Sequence, residues 1–221
     1  MITVGKEIFK TQKALQDRVR AILWTYKPET VLSDEHREFI FELLKRHPRA
    51  EEKLGAGIQL IRVVKNFYGS QGFEILRVDG SVDDFSYKEC IKPSSMEAQF
   101  KAACRLAVDG QILACKDAFW KERSSARCPF TGEELTKYRC VVDHAPPKTF
   151  EWIVTTFIRE HQIKVEDVVL IKEPRKLDGL PEGDLKRIWQ EFHREHANLR
   201  VVSALANSSH IRRGLSPQFE Q

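Results

Sequence analysis

The sequence predicts a two-domain α+β protein, and three features lead to this prediction. Apolar residues recur at helical spacing near the start, short apolar runs bounded by turn residues follow, and a long helical pattern separates these runs from a second set of strands. A chain of 221 residues lies between one and two domains of ordinary size. We expect a small α+β domain at residues 1–93, a helical connector at 94–126 and a second domain at 127–221.

The first domain is predicted to begin with two amphipathic helices. The apolar residues of the first, at residues 11–26, are Leu15, Val19, Ile22 and Leu23. Those of the second, which follows the N-cap candidate Ser33, are Phe39, Ile40, Leu43 and Leu44. Apolar runs at residues 58–64 and 73–78 then predict two strands, with Asp79-Gly80 as a turn.

The rest of the chain alternates helices and strands. A helical pattern covers residues 96–122 with a short interruption at Asp109-Gly110, and strands are predicted up to Asp143 and after Asn198. The 53 residues between them, 145–197, are too many for a bare loop and predict a helical insertion. Ser203 as N-cap and Gly214 as the residue after the C-terminus bound a last short helix.

Composition excludes several classes of protein. No apolar stretch approaches the roughly 20 residues that span a bilayer, and the first residues lack the apolar core of a signal peptide, so we expect a cytoplasmic protein. Five cysteines without a CxxC pair argue against a disulfide framework and against a four-thiolate zinc site. A net charge of +4 permits nucleic-acid binding without requiring it.

The dipeptide Asp143-His144 is the strongest candidate for chemistry. It closes an apolar run and is followed late in the chain by Asn198 and Asn207. Regular strand alternation points adjacent side chains to opposite faces, so one shared site requires the strand to end at the dipeptide. Pro146-Pro147 favours such an exit.

This order of strand, long connection, strand and helix resembles the HNH, or ββα-metal, nuclease family over about residues 127–214. The resemblance implies that Asp143 ligates a divalent metal and that His144 is the general base. It also implies that Asn198 orients the base and that Asn207 supplies the helix-borne metal ligand. The expected products carry a 5′-phosphate and a 3′-hydroxyl.

The chemistry of phosphodiester hydrolysis favours the same assignment. A neutral imidazole can take a proton from water, and Mg²⁺ or Mn²⁺ can offset the charge that builds on the phosphoryl oxygens. Mg²⁺ needs few protein oxygen ligands, so one carboxylate and one amide oxygen suffice. An isolated Asp-His pair is more often a turn residue beside a surface histidine, and only the combination with the two asparagines favours a site.

Basic residues near the end of the chain are candidates for contact with phosphate. His210 lies on the predicted helix between Ser203 and Gly214. Its side chain has three possible roles: phosphate contact in catalysis, a third metal ligand, or a solvated histidine. Arg212 and Arg213 follow it, and ordinary capping of the helix dipole explains them equally well. Arg200, on the second strand, is a further nucleic-acid candidate.

One departure from the HNH pattern concerns zinc. Many members brace the fold with two CxxC pairs, whereas the corresponding positions here are Cys128, Thr131, Ser203 and Ala206. We therefore expect no structural zinc, and we expect bracing by aromatic residues of the insertion: Trp152, Phe157, Trp189 and Phe192. His193 and His196 are interpreted as a solvated helix end, and the acidic group Asp79, Asp83 and Asp84 as turn chemistry.

The first domain resembles the DCL domain, named for the plant protein "defective chloroplasts and leaves". The segments that carry the similarity, within about residues 39–91, are LLKRHP at 43–48, EKLGAGI at 52–58, RVDG at 77–80 and DFSYKECI at 84–91. The family is linked with plastid RNA processing and polymerase tails, which implies a nucleic-acid-facing or scaffolding role. A basic cluster suited to phosphate contains Lys45, Arg46, His47, Arg49 and Lys53, although a solvated helix end explains it equally well.

Together these features predict a metal-dependent HNH endonuclease acting on DNA, with restriction, phage defence or a mobile element as its setting. RNA as substrate is not distinguished from DNA by these residues. We favour a homodimer, because one site cuts one strand and a C₂ pair matches the duplex. The alternatives are a nucleic-acid-binding or RNA-processing protein with an inactive HNH domain, and a scaffold that binds a protein through the aromatic insertion.

Overall fold

A computed structural model describes residues 1–65, 69–171 and 178–210 of the chain, with residues 209 and 210 described by their backbone alone. The described residues divide into two compact units, residues 1–95 and the residues from 96 onward. In the described ranges, no helix combines the length and apolar character needed to cross a membrane. The overall class is α+β, as the sequence predicts.

The first unit places helices against small antiparallel sheets. Strands β1 (Ile2–Val4) and β2 (Glu7–Phe9) form a hairpin, and helices α1 (Gln12–Thr25), α2 (Asp34–Leu44) and α3 (Ala50–Leu54) follow. Strands β3 (Ile58–Lys65), β4 (Gln71–Arg77) and β5 (Val82–Phe85) pair in sequence order as one antiparallel sheet, before helix α4 (Tyr87–Ile91).

The helices of the first unit begin and pack largely as their sequence predicts. Thr11 caps α1, since its hydroxyl accepts a hydrogen bond from the Ala14 amide at 3.1 Å. Ser33 lies at the start of α2 but forms no side-chain cap, and its hydroxyl instead accepts from the Tyr26 hydroxyl at 2.9 Å. The predicted apolar residues of both helices are all buried in one core with strands β3 and β4: Leu15, Val19, Ile22, Leu23, Phe39, Ile40, Leu43 and Leu44.

The second unit begins with helices α5 (Met96–Ala107) and α6 (Asp109–Lys121). Short strands β6 (Ala126–Arg127) and β7 (Glu134–Leu135) pair with each other, and β8 (Val141–His144) pairs antiparallel with β9 (Leu199–Val202). Between β8 and β9 lie helix α7 (Phe150–Glu160), a 3₁₀ turn (Val165–Asp167) and helix α8 (Asp184–His196), so the predicted helical insertion is present. A π-helical turn, Ala206–His210, follows β9.

Two apolar clusters hold the second unit together. One joins α5, α7 and α8 around Trp189 and Phe157, and residues 94–126, predicted as a connector, contribute Phe100 and Ala103 to it. The other lies under β8 and β9 and contains Cys128, Phe130, Leu135, Cys140, Val201, Val202 and Ala206.

The bracing of the β8–β9 pair differs from the prediction. Phe130 and Leu135 pack beneath it, and Phe119 and Trp120 of α6 pack against the same cluster. The predicted aromatic residues Phe157, Trp189 and Phe192 belong to the helical cluster instead. Trp152 is partly exposed, at 40 % of its accessible surface. The prediction failed because helices α7 and α8 bury their aromatic faces against α5.

Candidate active site

The candidate site is built on the antiparallel pair β8–β9. The cross-strand partners are Asp143 with Arg200 and His144 with Leu199. Immediately after β9, the hydroxyl of Ser203 accepts a hydrogen bond from the amide of Ala206 at 3.1 Å, which is the N-cap that the sequence predicts. Two antiparallel strands are thus followed directly by a capped helical turn, with Asp143-His144 at the end of the first strand.

Asp143 is engaged by a cation. The Arg200 guanidinium donates from Nε to Asp143 Oδ2 at 3.0 Å, and its terminal nitrogen lies 2.9 Å from the same oxygen. The guanidinium also stacks 4.6 Å from the ring centroid of Phe130. Both charged side chains are largely buried. Arg200 was predicted to bind nucleic acid, and in the structure it forms an ion pair with Asp143 across the two strands.

His144 faces different neighbours. Its Nε2 lies 2.8 Å from Nε2 of His193 on α8, and Nδ1 of His193 lies 2.8 Å from Oε1 of Gln111 on α6. Its ring also meets the edge of Phe150, with ring centroids 5.3 Å apart. The predicted exit from strand geometry at the dipeptide is not observed, because the pairing with β9 continues through His144. Asp143 and His144 therefore contact separate groups, as strand alternation requires.

The surroundings of His144 favour the neutral imidazole. Burial lowers the pKa of His144, the carboxylate of Asp143 opposes this shift, and the positive charge of Arg105 adds to it. The pKa of His193 is lowered to about 4, mainly by burial and also by the charge of His144. Arg105 is exposed and stacks 4.0 Å from the ring centroid of Phe150, so a guanidinium lies close to the imidazole.

The asparagines and the C-terminal basic residues are placed as follows. Asn198 is exposed, and its carbonyl accepts a hydrogen bond from the Ala145 amide at 2.8 Å, which ties the end of β8 to the start of β9. Asn207 is exposed on the turn after β9, and no hydrogen bond within the described ranges joins it to Asp143 or His144. The side chain of His210, together with Arg212 and Arg213, lies outside the described residues.

The four positions that correspond to zinc ligands in many HNH proteins do come together. The Ser203 amide donates to Cys128 Sγ at 3.4 Å, and the Thr131 and Ser203 hydroxyls lie 3.3 Å apart. The amide of Ala206, the fourth position, donates a hydrogen bond to the Ser203 hydroxyl. Hydrogen bonds from Ser203 and Thr131 outweigh burial and lower the pKa of Cys128 to about 7.

Hydrogen bonds and apolar packing therefore hold these four residues together. Three of the four residues lack a thiol, and one thiolate is too few for a structural zinc. Among the described residues, no group of three or more His, Cys, Asp or Glu side chains is arranged to hold a metal ion.

The sequence interpretation of His193 was wrong. The residue is fully buried, and it is the hydrogen-bonding partner of His144, not part of a solvated helix end. Its position four residues after Trp189 places it on the buried face of α8. The apolar periodicity of α8 was the available signal, since Leu185, Ile188, Trp189 and Phe192 mark the same face.

Charged groups predicted to act as surface features in the first unit have more specific roles. Asp79 forms the expected turn, accepting from the Ser81 amide at 2.9 Å, but Asp83 lies on β5 and is buried. Lys45 pairs with Glu42, and Arg46 is exposed at the end of α2. Lys53, from the same basic cluster, is buried against Asp83 and is unavailable to phosphate.

A family of known proteins matches residues of the first unit. Residues 20–91 match the family described as "Protein of unknown function (DUF3223)". The "Protein DCL homolog, chloroplastic" of Arabidopsis thaliana is 46% identical over 79 residues, 34% of this chain and 36% of that protein. The N-terminal unit contains a DCL-like domain. The family match ends before α5, so it does not extend to β8 and β9.

Two further proteins are similar to this chain. The "DNA-directed RNA polymerase IV subunit 1" of Arabidopsis thaliana is 34% identical over 84 residues, 38% of this chain and 6% of that protein. The solution NMR structure of an uncharacterized protein from Rhodospirillum rubrum is 37% identical, covering 40% of this chain and 86% of that one, with a TM-score of 0.39. The chain spans little more than a third of the curated relatives' lengths at most.

Proposed function

We propose that this protein is a metal-dependent endonuclease of the HNH type that hydrolyses DNA phosphodiester bonds in its second unit. The observation that carries the proposal is the order of β8, β9 and the Ser203-capped turn, with Asp143-His144 closing the first strand. The cluster of Cys128, Thr131, Ser203 and Ala206 adds support. These residues correspond to the family's zinc ligands and lie together, with hydrogen bonds in place of metal coordination.

In this proposal His144 is the general base. Its lowered pKa keeps the imidazole neutral near pH 7, as a base must be before it takes a proton. The water oxygen then forms a bond to phosphorus, the bond from phosphorus to the 3′-oxygen breaks, and the 3′-oxygen takes a proton from solvent. Asn198 supports the base through its carbonyl, which fixes the chain just beyond His144.

Asp143 and Asn207 would hold the Mg²⁺ or Mn²⁺ ion, and their oxygens are the hard donors that such an ion prefers. Arg200 occupies Oδ2 of Asp143, which leaves Oδ1 for a ligand. When bound, the ion would offset negative charge on the phosphoryl and leaving oxygens. Arg105 stacks on Phe150 and its charge acts on His144, which makes it a candidate for contact with a phosphate.

The DCL-like domain would supply affinity or targeting. The names of its relatives include a subunit of an RNA polymerase, which favours a nucleic-acid setting for the domain. Exposed Arg46 at the end of α2 is a candidate for phosphate contact, whereas Lys45 is already paired with Glu42. His144 and the nearby Arg105 both belong to the second unit, so we assign phosphodiester hydrolysis to that unit.

The test is incubation of the purified chain with supercoiled plasmid, single-stranded DNA and RNA, each with Mg²⁺ and with EDTA. We expect Mg²⁺-dependent cleavage of DNA that EDTA abolishes. Light scattering on the same sample reports the oligomeric state. A dimer should convert supercoiled plasmid to linear DNA directly, whereas a monomer should accumulate nicked circles.

A nucleic-acid-binding protein without nuclease activity is the second candidate. The ion pair between Asp143 and Arg200 favours it, because the carboxylate already has a cationic partner. The separate environments of Asp143 and His144 favour it as well. In the same assay this alternative predicts retarded migration of DNA or RNA without any cleavage product.

A further inference from the structure

A chain of four polar groups runs from helix α8 to the end of β8. Gln111 Nε2 lies 2.8 Å from the carbonyl oxygen of Gln190, and Gln111 Oε1 lies 2.8 Å from His193 Nδ1. Nε2 of His193 lies 2.8 Å from Nε2 of His144. All four groups belong to the second unit.

The direction of each hydrogen bond in this chain follows from its fixed end. A backbone carbonyl can only accept, so the NH₂ group of Gln111 must face Gln190 and its oxygen must face His193. That oxygen can only accept, so His193 carries its proton on Nδ1 and, when neutral, a lone pair on Nε2. His144 must then donate from Nε2, which leaves Nδ1 as the unprotonated nitrogen of its neutral ring.

We propose that His193, held by Gln111, is a positioning residue that fixes His144 in the Nε2-protonated form, so that Nδ1 takes the proton from the attacking water. The proposal rests on the proposed nuclease function and deepens it by assigning the basic atom. A base requires a defined tautomer, since a ring that carries its proton on the nitrogen facing the water cannot accept another there.

Independent features of the site agree with this role. His193 is fully buried, and its pKa of about 4 keeps it neutral and therefore able to accept at Nε2. Its ring packs against Trp189, with centroids 5.7 Å apart, and the ring of His144 packs against Phe150. Packing on both rings restricts the rotations that would exchange the two nitrogens.

The tautomer is measured directly by long-range ¹H–¹⁵N NMR of the whole chain with labelled histidine. His144 signals are assigned by their absence in His144→Ala. We expect the nitrogen shifts of His144 to show a protonated Nε2 and a bare Nδ1 at pH 8. A proton on Nδ1 of His144 would overturn the assignment, whether or not the protein cleaves DNA.

Kinetics with supercoiled plasmid and Mg²⁺ test the consequence for catalysis. Gln111→Met removes the acceptor that holds His193, so kcat should fall by about 10-fold, as for loss of a group that orients a catalytic ligand, with KM unchanged. His196→Ala leaves the four groups of the chain in place and should retain the wild-type kcat. An unchanged kcat in folded Gln111→Met would overturn the positioning role.

The two hypotheses fail in different ways. A wild-type protein that cleaves no probe, yet shows the expected tautomer, would overturn the nuclease function and the catalytic role of His193 with it. A wild-type protein that cleaves DNA while His144 carries its proton on Nδ1 overturns the positioning role alone. If Gln111→Met does not fold, the tautomer of His144 in the wild-type protein still decides.

Discussion

The two units treat buried polar groups in opposite ways. In the first unit, Asp83 is buried between two cations: Lys53 donates to Oδ1 at 2.9 Å and Arg77 donates to Oδ2 at 2.9 Å. In the second unit, His144, His193 and Gln111 form a chain of groups that are neutral near pH 7. One network is ionic and closed on itself, whereas the other ends at a half-buried imidazole.

This difference separates a structural network from a candidate for chemistry. Both oxygens of Asp83 are occupied, and Arg77 also donates to the carbonyls of Lys53 and Glu52 at 3.0 and 3.1 Å. A network with every group satisfied has no capacity left for a ligand. The Nδ1 atom of His144, in contrast, is the end of its chain. We therefore expect the first network to stabilise the fold, and the role proposed for the second network is the one that the experiments below test.

Removal of the imidazole that ends the second network should have the largest effect. His144→Ala should reduce the rate of DNA cleavage by about 10²–10⁴-fold, the usual contribution of a general base. Binding of DNA in EDTA should change little, since the residue is assigned to proton transfer. Plasmid cleavage and a binding titration measure the two properties separately.

His196→Ala is the matched control for this variant, because it removes a partly buried histidine from the same unit without touching the proposed chain. It should retain wild-type cleavage. Substantial Mg²⁺-dependent cleavage by His144→Ala would contradict the assignment of the base.

Breaking the ionic network should destabilise the first unit. Asp83→Ala leaves Lys53 and Arg77 buried without their counterion, which typically costs about 3–5 kcal/mol. Amide hydrogen exchange of β4 should report the loss as a large decrease in protection. Asp17 on α1 supplies the control, since Asp17→Ala removes an exposed carboxylate of the same unit that pairs with Lys13 instead of the network.

Protection in α8 distinguishes local from global effects of Asp83→Ala. If α8 retains its wild-type protection, the network stabilises its own unit alone. An equal loss of protection in β4 and α8 would contradict the division of roles, because the network would then support both units.

The sequence predicted those parts of the fold that local rules determine. Ser203 was a recognisable cap, although the predicted cap Ser33 forms no side-chain cap hydrogen bond, and the buried faces of α1 and α2 followed from apolar spacing. The order of β8, the helical insertion, β9 and the final turn also followed from pattern and loop length. These features depend on residues close in the chain, so periodicity and capping chemistry suffice to find them.

Long-range pairings were not predictable in the same way. Arg200 contacts Asp143 across 57 positions, and His193 meets Gln111 across 82. Polar residues such as Asp83 and His193 resemble solvated groups in a linear sequence until their buried partners are known. Tertiary contacts therefore changed the roles of individual side chains, whereas the predicted helices and strands kept their order. The hairpin β1–β2 ahead of α1 and the short elements α3, β5 and α4 were not predicted.

A glycine at the edge of the ionic network should give a smaller, local loss of stability. Gly55 has φ of +48°, and a Cβ there would lie 2.8 Å from Cδ and Nε of Arg77. Arg77 is held by several hydrogen bonds and cannot move aside without breaking them. Gly55→Ala should therefore cost at least the roughly 1–3 kcal/mol of a strained backbone position.

Gly72 provides the control in the same unit, since a Cβ there meets nothing within 4 Å. Denaturant unfolding should show Gly72→Ala close to the wild type and Gly55→Ala clearly weaker. Equal stability of the two variants would show that Arg77 is less firmly held than its contacts indicate.

The last effect is the dependence of stability on pH. His193 has a pKa of about 4 in the folded protein, against about 6.5 for an unfolded histidine. Between these values the unfolded chain binds a proton that the folded chain does not, so stability falls as the pH falls from 6.5 to 4. One such group contributes a slope of up to about 1.4 kcal/mol per pH unit.

His193→Gln should flatten this dependence, measured by hydrogen exchange of α8 at pH 7 and pH 5, while some slope remains from His144, whose pKa is also lowered. His196→Gln, on the same helix, controls for loss of an imidazole as such. Asp83 behaves differently: its cationic partners lower its pKa, so its contribution is present above the unfolded value of about 3.9 and is lost as the pH falls through the folded value. An unchanged slope in His193→Gln would mean that His193 is not held neutral by burial, and the proposed chain would lose its acceptor at Nε2.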